Sequence, residues 1–280
     1  AVPQTYDDLR WLGLDWDAGP PDSGAIDPHA ASTLGFGSFV QRDRLPRYQA
    51  ALVQLRRQGR LFPCVCTRAD IIEAQSAPHG KEFRYPGTCR GRFKSWAAAV
   101  EAAEGRTPAW RFQVDDQHET HYEDRLLGPQ QSRLAEWSGH FVVARGDEQP
   151  GYQLAVVVDD IEMRVTEVVR ADDLVPSTHR QLVLYEVLGA TPPAFLHVPL
   201  VTGPDGMRLA KRHGDTRVAA IREAGKRPEE LVGWLAWTLG QQPEPTPCTA
   251  VDLASTFNLE EVPREPYEVP DANHRLLGLQ

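Results

Sequence analysis

The chain has 280 residues, 41% hydrophobic and 25% charged, with 30 Lys and Arg against 39 Asp and Glu. The formal net charge of -9 argues against indiscriminate binding to nucleic acid, though not against a local basic face shaped for one RNA. No apolar run approaches the ~20 residues that span a bilayer, and the first residues lack the basic and apolar regions of a signal peptide. A cytoplasmic protein with no membrane partner is therefore expected.

Tyr6–Gly13 reads as the end of an amphipathic helix stopped by Gly13. Residues 14–38, rich in Gly, Pro, Asp and Ser, read as an irregular loop. Leu45, Tyr48, Leu52 and Leu55 recur at helical spacing, and Gly59 closes that helix. Leu61–Cys66 is short and extended, and Thr67 is a good N-cap for a helix through Ile71 and Ile72. Ala109–Val114, His121–Glu123 and Phe141–Ala144 look like short strands between polar turns.

Tyr152–Val158 is almost continuously apolar and reads as a strand buried on both faces of a mostly parallel sheet. Ser177 or Thr178 is expected to cap a helix that Gly189 ends, and Leu196–Val201 is strand-like. Pro228, Glu229 and Glu230 open a late helix that stops before Gly240. Strands and helices alternate, which predicts an α/β sheet domain interrupted by a smaller module.

Two constellations carry chemistry. Cys64-x-Cys66 is followed by Tyr85-x-x-x-Cys89, and three thiolates in a chain of this class suit a zinc ion better than a disulfide. The fourth ligand is open between the Tyr85 phenolate and His79, the chemically more usual donor. Arg84, Arg90 and Arg92 surround the cluster, where they either offset thiolate charge or face a phosphate backbone. The second constellation is Gly206–Gly214, which sets Arg208, Lys211, Arg212 and His213 between glycines in an acidic chain. It suits a loop that closes on a polyphosphate. It suits equally the tip of a solvated β-hairpin, because Asp205-Gly206 is a strong turn signal.

In order along the chain, Leu9–Asp17, the Cys-x-Cys…Tyr-x-x-x-Cys cluster, Gly151–Ala155, Glu167–Arg170 and the Arg208–Arg212 loop resemble the class I glutamyl-tRNA synthetase family. The likeness runs from about Val2 to the late helices. More narrowly it is to the family's short branch, which lacks an anticodon-binding domain and glutamylates queuosine. The resemblance implies a Rossmann-like α/β catalytic domain, N-terminally incomplete, with an inserted zinc-binding, β-rich module and a helical C-terminal part. Residues 1–63 and 146–215 would form the two parts of the catalytic domain, 64–145 the zinc-binding insertion and 216–280 the helical region.

The resemblance also implies roles. Arg208, Leu209, Ala210, Lys211 and Arg212 would form the signature loop, with Lys211 as the catalytic residue that meets the phosphates of ATP and Mg²⁺. Tyr152 and Arg170 would hold glutamate, and Cys64, Cys66, Tyr85 and Cys89 would hold a structural zinc. The partners would be ATP, glutamate and tRNA(Asp) carrying queuosine at its wobble position, acted on by a monomer. Ala210 stands where the family more usually has serine.

The family's fold opens with a strand, a His-x-Gly-His-like signature and an acidic Glu-Asp signature, none of which is in this sequence. The resemblance therefore implies a chain that begins downstream of an opening βαβ unit of roughly 30 residues. Two other functions stay open at this point. One is a catalytically inactive, zinc-stabilised tRNA-binding remnant. The other is a catalytic piece of a glutamyl-tRNA synthetase.

Overall fold

The computed structural model describes residues 2–17, 35–73, 84–146, 149–203, 205–209 and 217–269. The chain folds as two compact units. The first comprises Ala1–Leu34, Val169–Asp173 and Leu196–Gln280, and the second Gly35–Val168 and Leu174–Phe195. Helix α1 (Val2–Trp11) belongs to the first unit and ends at Gly13, whose φ is 76°.

The second unit opens with a 3₁₀ turn at Gln41–Arg44 and helix α2 (Leu45–Arg57), which buries Tyr48, Ala51, Leu52 and Leu55 at the spacing read from the sequence. Strand β1 (Leu61–Cys64) and the short helix α3 (Arg68–Glu73) follow. Thr67 caps α3 by accepting the Asp70 amide at 3.1 Å, and Asp70 returns the bond to the Thr67 amide. Beyond α4 (Trp96–Ala102) come β2 (Ala109–Phe112), β3 (Thr120–Asp124), β4 (Gly128–Ser132), α5 (Leu134–Trp137), β5 (Phe141–Arg145) and β6 (Gln149–Pro150). Strand β4, rich in Gln and lacking β-branched residues, carried no strand signal in the sequence.

Tyr152–Val158 is not a strand. It opens helix α6 (Tyr152–Met163). A short apolar run does not distinguish a buried strand from a buried helix. Here the run buries Leu154, Ala155, Val157 and Val158, a helical set. Gly151 holds the entry. Its amide bonds the Val143 carbonyl at 2.7 Å, and a Cβ there would sit 3.2 Å from the backbone of β5. Strand β7 (Glu167–Ala171), helix α7 (Val175–Leu188) and strand β8 (Ala194–Val198) complete this stretch of chain. Helix α7 begins at Val175, with Pro176 in its first turn. Ser177 and Thr178 therefore lie inside the helix, and neither is its cap.

Strands β1, β2, β5 and β6 form an antiparallel sheet in the order β1-β2-β5-β6. The second sheet runs β4-β3-β8-β7, with β3 antiparallel to β4 and parallel to β8. The first sheet is antiparallel and the second mixed, and Tyr152–Val158, expected as the buried strand of a mostly parallel sheet, belongs to neither of them. A buried ionic knot fastens α6 to α2. The Arg44 guanidinium, 2% exposed, bonds Asp159 at 2.6 Å and Glu162 at 2.7 Å, and the Tyr48 hydroxyl donates to Asp159 at 2.8 Å. Charges this deeply buried persist only when fully paired.

In the first unit, β9 (Val201–Thr202) pairs in parallel with β10 (Tyr267–Glu268). Helices α8 (Val218–Glu223) and α9 (Pro228–Thr238) contribute Ile221, Leu231 and Trp234 to a small core with Val269, and α10 (Ala250–Thr256) follows. The start signal read from the sequence holds for α9: Pro228 occupies its first turn, and Glu230 accepts the Arg227 amide at 2.8 Å. Among the described residues no helix is long and apolar enough to cross a membrane.

Candidate functional site

Strand β1 delivers Cys64, the residues just after it deliver Cys66, and a turn over residues 84–92 delivers Tyr85 and Cys89. The three sulphurs lie within 4.8 Å of one another, with Cys66 and Cys89 Sγ 3.5 Å apart. The Tyr85 hydroxyl is 3.3 Å from Cys64 Sγ and 3.8 Å from Cys66 Sγ, and accepts the Cys89 amide at 2.8 Å. A zinc tetrahedron with ~2.3 Å Zn–S bonds sets sulphurs about 3.8 Å apart. By residue type and spacing, this donor set fits zinc. His79, the other candidate for the fourth ligand, lies outside the described residues.

Backbone geometry fixes Tyr85. Its amide bonds the Ser138 carbonyl at 3.1 Å and it bridges to Gly139, where a Cβ would stand 2.5 Å from the Tyr85 carbonyl oxygen. Only glycine allows that approach. The thiols divide their charge. The hydrogen bond from Cys64 draws Cys89 down to about 6. The same bond, followed by burial, pushes Cys64 up to about 12. Burial, then the bond to Cys64, holds the Tyr85 hydroxyl well above the usual phenol range. A divalent cation held by these donors would supply the attraction that removes their protons.

Arg111 is the functional residue the sequence reading missed. It is 8% exposed on β2, donates from Nε to Cys64 Sγ at 3.2 Å and lies 3.8 Å over the Tyr85 ring. Its Nη1 bonds the His140 carbonyl at 2.9 Å. With a metal bound at the cluster, this guanidinium would offset the charge of the Cys64 thiolate. A signal was available: an arginine between Trp110 and Phe112 in a strand with buried aromatics needs an anion or a carbonyl partner. Arg84, Arg90 and Arg92 have other described contacts, with the Ala135 carbonyl, Asp116 and the Phe93 ring respectively.

The residues expected to hold glutamate lie on different units. Tyr152, 55% exposed, is the first residue of α6 in the second unit. Its neighbour Gln153 donates to Ser177 Oγ at 3.0 Å, tying α6 to α7. Arg170 lies on β7 in the first unit, where its Nε donates to Nε2 of the fully buried His197 on β8 at 3.1 Å. Accepting at Nε2 leaves the ring proton of His197 on Nδ1 and fixes the direction of the guanidinium fork. Asp172 and Asp173 follow. Burial, then the charge of Asp173, raises the Asp172 carboxyl above its ordinary range. Asp173 receives Arg208 at 3.3 Å.

The described half of the cationic loop is a hairpin tip. Gly206 has a φ of 67°, its amide bonds the Gly203 carbonyl, and Arg208 bridges to Thr202. Leu209 continues the pairing by donating to the Val201 carbonyl at 3.1 Å. Ala210, Lys211 and Arg212 lie outside the described residues.

Residues 1–266 match the family model described as tRNA synthetases class I (E and Q), catalytic domain. The chain is 46% identical over 270 residues to a glutamyl-Q tRNA(Asp) synthetase of Symbiobacterium thermophilum, covering 95% of this chain and 80% of that protein. It is 41% identical to a glutamyl-Q tRNA(Asp) synthetase of Nitratidesulfovibrio vulgaris, over 94% of this chain and 78% of that one. The fold matches a glutamate-tRNA synthetase structure from Elizabethkingia anophelis with a TM-score of 0.74 at 19% identity, covering 98% of this chain and 58% of the other. The chain belongs to the class I tRNA synthetase family for glutamate and glutamine, which it matches through the family's catalytic domain.

Proposed function

We propose that the protein activates glutamate with ATP as glutamyl-adenylate and transfers the glutamyl group to queuosine in tRNA(Asp). The likeness to glutamyl-Q tRNA(Asp) synthetases over nearly the whole chain carries this reading. Two features of the molecule support it. Arg170, aimed by a buried histidine, offers a fixed fork that suits a carboxylate. Three residues after the hairpin residue Arg208 the sequence carries Lys211, whose ammonium could follow charge as pyrophosphate departs.

In this reading Lys211 meets the ATP phosphates with Mg²⁺, and Arg208, Leu209, Ala210 and Arg212 shape the loop that presents it. Tyr152 and Arg170 hold glutamate. Cys64, Cys66, Tyr85 and Cys89 hold a structural zinc, with Arg111 beneath them. Zinc there would supply folding energy to the module and no step of the chemistry. The protein acts in the cytoplasm as a monomer. The test is glutamate-dependent ATP–pyrophosphate exchange by the intact protein without tRNA, followed by transfer of labelled glutamate. Exchange with label entering queuosine-containing tRNA(Asp) is expected. RNA binding without any response to glutamate or ATP would favour an inactive remnant.

A further inference from the structure

The second unit holds a polar pocket of about 360 Å³ lined by Tyr85, Arg84, Arg90, His140, Gly87 and Asp116 among others. None of the three cysteines, nor Tyr152 or Arg170, lines it. His140 is 7% exposed, and its Nδ1 accepts the Val114 amide at 3.1 Å. The ring hydrogen is therefore on Nε2. That nitrogen lies beside Gly87, 3.9 Å from where a Cβ would stand, so the histidine presents a buried donor to the pocket. Arg84 is braced through Nε on the Ala135 carbonyl at 2.6 Å, which orients its guanidinium plane. Arg90 leaves the turn that carries Cys89, and its amide bonds the Gly87 carbonyl at 2.8 Å.

We propose that this pocket is a phosphodiester site, in which the His140 Nε2–H and the guanidiniums of Arg90 and Arg84 hold one backbone phosphate of an RNA. The proposal rests on the reading that the protein acts on tRNA. Its donors are all N–H groups, the inventory that a phosphate oxygen needs. The opposing element is Asp116, whose exposed carboxylate lies 3.9 Å from Arg90. It disfavours a lone dianion such as inorganic phosphate. A monoanionic phosphodiester, held also by contacts on either side of it, tolerates that neighbour.

The test is binding of queuosine-containing tRNA(Asp) as a function of salt, for the intact protein and two variants, with bound zinc per chain as the check on folding. Arg90→Gln should weaken binding roughly fivefold and lower the log–log salt slope by about 1. Asp116→Asn should act in the opposite direction and tighten binding about two- to threefold. Millimolar inorganic phosphate at matched ionic strength should leave the tRNA bound. Unchanged affinity and slope in Arg90→Gln, weaker binding in Asp116→Asn, or displacement of the tRNA by millimolar phosphate would each overturn the proposal. Glutamate transfer by the unmodified protein, measured in parallel, reports on the parent reading. A slope change without any transfer would keep the pocket and remove that reading, and transfer with unchanged slopes would do the reverse.

Discussion

The cysteine cluster of the second unit and the Arg170 corner of the first are organised on opposite terms. The cluster is buried and dense in potential charge: Cys64 and Cys89 are 2% and 1% exposed, and Tyr85 is 3%. Among the described residues its satellite core adds Phe62, with Val65, Ile71 and Phe93 packed at the edge. On the reading proposed above, a metal would hold so small a core together. The corner has a fully buried anchor, His197, which accepts from the Arg170 guanidinium. In the proposed reading the first region would use charge to keep a module folded, and the second uses burial to aim a charge. Substitutions in the first should therefore act on metal content and stability, and those in the second on glutamate.

The largest effect is expected at the cluster. Cys89→Ala removes a ligand and should abolish stoichiometric zinc, read by metal analysis of the purified protein, with melting of the residues around β1. Structural zinc contributes on the order of 10 kcal/mol in small modules. Next comes Arg170→Ala, which should lower glutamate-dependent exchange about 10²- to 10³-fold, mainly through KM for glutamate, while zinc stays bound. If Arg170→Ala loses zinc as well, the separation of the two regions fails.

Arg111→Leu leaves a buried thiolate without its guanidinium and should weaken zinc affinity about 10- to 100-fold, measured by competition with a chelator. His197→Phe removes the acceptor that aims Arg170. It should raise the KM for glutamate about tenfold, and His197→Gln, which keeps an acceptor, should restore it to within about threefold. Equal losses in both variants would make His197 a packing residue only.

The smallest effect concerns pH. The Asp172 carboxyl is raised in the folded protein, by burial first, so the folded state keeps its proton to higher pH than the unfolded state does. Its contribution is fully present below the ordinary carboxylate range and is lost as pH rises through the raised value. Asp172→Asn should flatten thermal stability across that interval. An unchanged slope would show that Asp172 does not set it.

The sequence revealed most where a residue type is scarce. Three closely spaced cysteines announced the cluster, because few other arrangements suit them together, and the family resemblance placed Tyr85 beside them. The periodic Leu45–Leu55 stretch and the Pro228–Gly240 signals gave α2 and α9 for the same reason, a pattern that serves one structure. Tyr152–Val158 misled because burial erases periodicity: a helix packed on several sides reads like a central strand. Arg111 and His197 went unread because their meaning comes from partners distant in the chain, Cys64 across β1 and Arg170 across β7. The Arg44–Asp159 knot spans 115 residues and is equally silent in one dimension.

The most direct test of the whole account is transfer of radiolabelled glutamate by the intact protein with ATP, comparing queuosine-containing tRNA(Asp), the same tRNA lacking queuosine, and tRNA(Glu). Label on the queuosine-containing tRNA alone is the predicted result. Label on tRNA(Glu), or none on any tRNA despite full zinc content, would contradict it.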